Sequence, residues 1–195
     1  LRIIAGSSKG KALCSPMDLR TRPTSDRARE GLFSSLVSEF GSIAGLCFLD
    51  LFCGTGAVGV EALSRGAELV IAVDSDPVVA RIAMENFSIV DGFEGRSKVF
   101  SLSVEEYLKS VSRSSDHHFD IIFMDPPYEL ENEKIEQLLQ AIDERELLQP
   151  NGVIAVERRS KDSPFTWPMS MEGIKIRSYG QGSIYYGNYS ASVLP

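Results

Sequence analysis

The residues best placed to do chemistry are Asp125-Pro126-Pro127-Tyr128, which follow the apolar run Phe119-Asp120-Ile121-Ile122-Phe123-Met124. A strand of that composition ends in a carboxylate, two prolines and an aromatic ring. Paired prolines freeze the backbone and remove its N–H donors, so carbonyls are what they present. A carboxylate, an oriented carbonyl and a ring suit a planar base that carries an exocyclic NH2. Asp125 and the Pro126 carbonyl would accept the two amine hydrogens, and Tyr128 would stack on the ring, worth about 1–3 kcal/mol per base. Hydrogen bonds from both N–H groups favour a pyramidal nitrogen and aim its lone pair, the orientational part of catalysis. An isolated Asp-Pro-Pro-Tyr is also compatible with an ordinary turn, so its partner site decides.

That partner is Phe48-Leu49-Asp50-Leu51-Phe52-Cys53-Gly54-Thr55-Gly56, a buried-strand pattern ending in a turn with two glycines. Gly54-Thr55-Gly56-Ala57-Val58-Gly59 matches G-x-G-x-x-G, and Asp74 lies 20 residues after the first glycine. Such a turn at a helix N-terminus lets backbone approach a nucleotide-like ligand, and several cofactor classes use it. Asp50 separates them. A pyrophosphate needs bare N–H groups and would be repelled by this carboxylate, which suits the sulfonium and ammonium of S-adenosylmethionine. Asp74 would accept hydrogen bonds from ribose hydroxyls. Ser103 begins a later helix and is either its cap or a neighbour of the adenine. The cofactor-facing set is Asp50, Phe52, Gly54, Gly56, Asp74, Ser75, Ser103 and Val104. Methyl transfer from this donor to an amine needs neither a metal nor a covalent enzyme intermediate, so Cys53 is read as turn packing. Adjacent His117 and His118 read as surface residues, and Trp167 as packing.

The elements that must hold these residues alternate from Leu46 onward. Strands are expected at 46–52, 69–74, 97–101, 119–124 and 152–157, and helices at about 57–65, 77–88, 103–111 and 132–146. Alternation implies a parallel sheet covered on both faces, with ligands at the carboxyl ends of its strands. Residues 174–179 and 183–186 flank Gly180-Gln181-Gly182 as a hairpin, an antiparallel addition at the sheet edge. Residues 159–172 show no clear period. Upstream, 1–6 and 11–13 read as a small hairpin. A helix capped by Thr24 or Ser25 should run to about Glu39, with Leu32, Phe33, Leu36 and Val37 as its core stripe.

Of 195 residues, 43% are hydrophobic and 24% charged, enough for one domain with a sizeable core. No apolar run approaches the ~20 residues of a membrane span. Cys14, Cys47 and Cys53 make no paired framework, which favours a reducing compartment. The net charge of −7 argues against a nucleic-acid partner until its distribution is read. Residues 1–30 hold seven cations against three acids, net +4, and the remainder 13 cations against 24 acids, net −11. This asymmetry suggests a basic docking arm on an acidic body. Arg22, Arg27 and Arg29 crowd a helix start, where the macrodipole disfavours cations, and an anionic partner would explain them.

With these residues in view, the chain resembles the bacterial 16S ribosomal RNA guanine-N2 methyltransferases called RsmD. The resemblance rests on Arg2-Ile3-Ile4-Ala5-Gly6 with Lys9-Gly10-Lys11, on Arg22 to Phe33, on Asp50 to Gly66, on Asp125 to Tyr128, and on Gly180-Gln181 with Tyr186. It implies an α/β fold, a Rossmann-like class I methyltransferase with a mostly parallel seven-stranded sheet and a small N-terminal extension. That gives an RNA-contacting extension over 1–44 and a methyltransferase domain over 45–195. It also implies S-adenosylmethionine as cofactor, and 16S-type rRNA in the small ribosomal subunit as substrate of a monomeric enzyme. Asp125, Pro126, Pro127 and Tyr128 would be catalytic, and Arg2, Lys9, Lys11, Arg22, Thr24, Arg27 and Arg29 would contact RNA. The compartment would be the cytoplasm of a bacterium, or a plastid or mitochondrion if a targeting segment preceded Leu1. The residues leave other readings open: an N6-adenine methyltransferase, a protein-glutamine methyltransferase, a non-catalytic rRNA-binding assembly factor and a nicotinamide enzyme.

Overall fold

The computed structural model describes residues 1–15, 26–111 and 118–191. Seven strands form one sheet: β1 (Cys47–Leu51), β2 (Leu69–Asp74), β3 (Ser97–Ser101), β4 (Phe119–Met124), β5 (Leu148–Arg159), β6 (Met171–Tyr179) and β7 (Gly182–Tyr189), in the order β3-β2-β1-β4-β5-β7-β6. The first five pair in parallel, and β7 pairs antiparallel with both β5 and β6. This is the class I methyltransferase arrangement. The strand order reverses direction between β1 and β4, so a crevice opens at their carboxyl ends.

The helices are α1 (Asp26–Phe40), α2 (Ala57–Ser64), α3 (Pro77–Phe87), α4 (Val104–Ser110) and α5 (Asn132–Glu144). Alternate residues of the apolar strands serve two cores. Phe48, Ile121 and Phe123 join α1, α2 and α3 on one face, and Leu49, Leu51, Ile122 and Met124 join α4 and α5 on the other. Local chemistry starts the helices where they must start. Asp76 accepts hydrogen bonds from Val78 N and Val79 N with Pro77 in the first turn, and Ser103 forms a reciprocal capping box with Glu106.

Four expectations need correction. Strand β5 begins four residues earlier than 152, because the register shifts between Phe119 and Ile121 and absorbs Gln149-Pro150-Asn151 as a bulged insertion. The stripe of α1 is narrower than expected: Leu32, Phe33 and Leu36 are buried, whereas Val37 is 36% exposed. Strand β6 starts at Met171, inside the stretch without a period, and as an edge strand it leaves Glu172, Ile174 and Ile176 exposed. The N-terminal hairpin is reduced to one bridge, Arg2 with Ala12, and its Ile3 and Leu13 share a core with Phe33 and Phe48.

Candidate functional site

The glycine turn is built by backbone that ordinary side chains avoid. Phe52, the residue after β1, has φ +58°, and Gly54 and Gly56 have φ +55° and +75°. A bulky residue in the left-handed region costs about 1–3 kcal/mol and persists only where its surroundings over-determine it. A Cβ on Gly54 would meet open space, so this glycine faces the crevice. A Cβ on Gly59 would lie 2.8 Å from Phe87 Cζ and 3.2 Å from Asp50 Oδ2, so the third glycine serves close packing of α2 on the sheet.

Two carboxylates lock the turn. Asp74, at the end of β2, accepts from Gly54 N at 2.8 Å through Oδ2 and from Asp76 N at 3.0 Å through Oδ1. Asp50 is only 1% exposed, and its Oδ2 accepts from Gly59 N at 2.9 Å. It is therefore set deeper than a strand-end residue facing ligand, and its first task is to pin α2 to β1. Burial pushes the Asp50 carboxyl up to about 8 against the Gly59 hydrogen bond, and the charges of Asp125 and Asp74 push it the same way. Three acidic side chains thus lie at the turn, where a cationic ligand group would favour the ionised form of Asp50 and a phosphate would oppose it. Burial, with Asp50 and Asp74 alongside, also pushes the Cys53 thiol up, which makes it a poor nucleophile.

Asp125 follows β4 directly, and its N–H donates to Leu51 O at 3.3 Å, so Asp-Pro-Pro-Tyr and the glycine turn leave adjacent strand ends. Pro126 is buried, Pro127 is exposed, and Asp125 and Tyr128 are partly exposed. The Arg159 guanidinium lies 4.6 Å from the centre of the Tyr128 ring. Ser75 is exposed just beyond β2, while Ser103 Oγ is engaged by its capping box and Val104 is buried. These positions rim the same sheet end.

The basic residues divide. Arg2, Lys9 and Arg27 are exposed. Lys11 Nζ is held by Ile89 O and Asp91 Oδ2, both at 2.9 Å. Arg22 and Thr24 lie outside the described residues. Arg29 is a correction: its side chain is fully buried and bonded to Arg2 O at 2.6 Å and Asp26 Oδ1 at 2.9 Å, so it presents no charge to an RNA backbone. Sequence reasoning also missed Asn86, buried in α3, whose Nδ2 donates to Thr55 O and Cys14 O, tying the turn to the N-terminal segment. A wholly buried amide in a helix is the signal, but its partners are 31 and 72 residues away. His118 Nδ1 sits 2.7 Å from Glu146 O at the surface, and no metal-binding cluster occurs among the described residues. His117 lies outside the described residues. Trp167 packs edge-on against Phe165 at 5.1 Å between centroids.

"Ribosomal RNA small subunit methyltransferase D" of Haemophilus influenzae is 33% identical over 180 residues, covering 92% of this chain and 89% of that protein. "Putative rRNA methyltransferase YlbH" of Bacillus subtilis is 35% identical over 157 residues, covering 80% and 82%. Among solved structures, "Putative methyltransferase yhhF" from Escherichia coli superposes with a TM-score of 0.82 at 26% identity, covering 97% of this chain and 98% of that one. The family described as conserved hypothetical protein 95 matches residues 1–188, a span that takes in the N-terminal bridge, the glycine turn, Asp125–Tyr128 and the closing hairpin. The chain belongs to that family.

Proposed function

We propose that the protein transfers a methyl group from S-adenosylmethionine to the exocyclic N2 amine of a guanine in small-subunit ribosomal RNA. The observation that carries this reading is the junction of Asp125-Pro126-Pro127-Tyr128 with the carboxylate-ringed glycine turn at neighbouring strand ends. The name of the H. influenzae relative supports the small-subunit RNA as substrate.

S-adenosylmethionine, held by the glycine turn with Asp50 and Asp74, supplies an electrophilic methyl group. Asp125 and the Pro126 carbonyl accept the two amine hydrogens and aim the nitrogen lone pair. Tyr128 stacks on the base, supported by Arg159 on its ring. Asp125 accepts the surplus proton once the nitrogen becomes cationic, so no strong base is needed beforehand. Incubating small subunits from a strain lacking the enzyme with labelled donor, then digesting the rRNA to nucleosides, tests the proposal. N2-methylguanosine is expected. N6-methyladenosine as sole product overturns it, and RNA binding without transfer points to an assembly factor.

Two further results follow from the site. Because Asp50 keeps a proton up to about pH 8 in the folded chain, and a ligand cation favours the carboxylate, cofactor binding should release a proton below that pH. Affinity measured by calorimetry should rise with pH by up to about tenfold per unit below the shifted value, then level off. Asp50→Asn should flatten that rise. For stability the sign is opposite: the contribution of the buried proton is complete below about 3.8 and is lost as pH rises through about 8. For the N-terminal segment, replacing exposed Lys9 and Arg27 by Gln should reduce the salt slope of RNA binding by roughly 0.7–0.9 per lost phosphate contact. An unchanged slope removes them from the interface.

A further inference from the structure

We propose that Arg158 is a positioning residue for the Asp125–Tyr128 loop, an assignment that rests on the methyl-transfer reading of that loop. Arg158 sits in β5 after the apolar run Val153-Ile154-Ala155-Val156, a place where a cation is costly unless its donors are used. It is 4% exposed. Its Nη2 donates to Leu130 O at 2.8 Å and its Nη1 to Pro127 O at 3.4 Å, while Asp162 Oδ2 lies 3.5 Å from Nη2. One planar guanidinium therefore holds carbonyls at both ends of the turn 127–130, which is itself closed by Leu130 N donating to Pro127 O at 2.9 Å. The rigid fork of arginine suits two carbonyls at a fixed spacing better than a point charge does.

The next residue completes the grip. Successive side chains of a strand point to opposite faces, and Arg159, 51% exposed at its side chain, reaches Tyr128, with its ring centre 4.6 Å away, and Glu129 at 3.6 Å. The end of β5 thus fixes the loop twice, through its backbone by Arg158 and through its aromatic ring by Arg159. Since β4 and β5 are hydrogen-bonded neighbours, the fork references the loop to the sheet that also carries the glycine turn. Two prolines stiffen the start of this loop but donate no N–H to anchor it. The anchor comes from the neighbouring strand.

The test compares Arg158→Met and Arg158→Lys with the wild-type chain. Arg158→Met keeps length and apolar packing while removing the donors. Deuterium exchange of the Leu130 amide should accelerate by about tenfold or more with β1 and β4 unchanged, as loss of a charge-assisted hydrogen bond implies. In the transfer assay kcat should fall by roughly 10²-fold, the cost of about an ångström of misplacement. The KM for RNA and the Kd for S-adenosylmethionine should stay near the wild-type values, and Arg158→Lys should recover part of kcat. A folded Arg158→Met with wild-type kcat overturns the assignment, as does a loss of cofactor affinity that parallels kcat. Should wild type itself fail to methylate rRNA while Leu130 exchange still accelerates in the variant, the substrate reading falls and the anchorage stands.

Discussion

Asp125→Asn is expected to lower kcat for methyl transfer by about 10²–10³-fold, the loss typical of removing one preorganised polar contact at a reacting centre. The amide keeps the shape of the carboxylate but turns one acceptor into a donor, which would face an N–H of the substrate amine. Asp125 extends from the end of β4 beside Leu51, so its backbone is fixed by the sheet and only the side-chain chemistry changes. Cofactor binding should persist. Asp125 is one of the charges that raise Asp50, so its neutralisation should lower the Asp50 pKa and move the pH dependence of binding to lower pH. That displacement is a second readout which a merely unfolded variant would not give. Calorimetry with S-adenosylmethionine across a pH series, beside single-turnover kinetics, separates the two effects. A variant retaining wild-type kcat would remove Asp125 from the reaction.

The place of the candidate site in the fold was legible because its residues are contiguous. Gly54 to Gly59 run from the turn into the start of α2 and Asp125 to Tyr128 leave β4 directly, and the apolar runs before them read as buried strands. What was not legible was long-range partnership. Arg29 looks in the sequence like one more cation on a basic helix start, and only the fold brings Glu61 of α2 beside it. Asp50 reads as a carboxylate at a strand end, yet the approach of Gly59 N buries it. The missed start of β5 has the same origin. Gln149-Pro150-Asn151 lies before the strand expected over 152–157, and it is the pairing of Leu148 with Phe119 that brings it into the sheet. Arg158 left a visible signal, a charge closing an apolar strand, though its targets at Pro127 and Leu130 required coordinates.

Glu61→Ala should produce the largest loss of stability of any single substitution considered, about 3–5 kcal/mol, because it breaks a buried charge cluster from the inside. Glu61 is 1% exposed and accepts from Ile4 N at 2.8 Å, Ala5 N at 2.9 Å and Arg65 Nε at 2.7 Å, with Arg29 Nε at 4.0 Å. Removing it leaves two backbone donors without their acceptor and takes one of two neighbouring carboxylates from the buried Arg29 guanidinium, which keeps Asp26 at 2.9 Å and whose pKa burial already lowers. For a chain of this length each kcal/mol moves Tm by about 2–4 °C, so a fall on the order of 10 °C is expected. Adding Arg29→Met should recover part of that loss, since the buried cation that has lost one of its carboxylates is then gone, and a double-mutant cycle should show coupling of about 0.5–3 kcal/mol. Exchange at the amides of Ile4 and Ala5 should accelerate most, for Glu61 is their acceptor. Additive effects with unchanged exchange at those amides would show that the N-terminal segment is held elsewhere. The functional consequence is specific: α2 begins right after Gly56, so the carboxylate that fastens the basic segment is carried by the helix that opens at the glycine turn. Glu61→Ala should therefore weaken RNA binding more than cofactor binding, although Glu61 touches neither ligand.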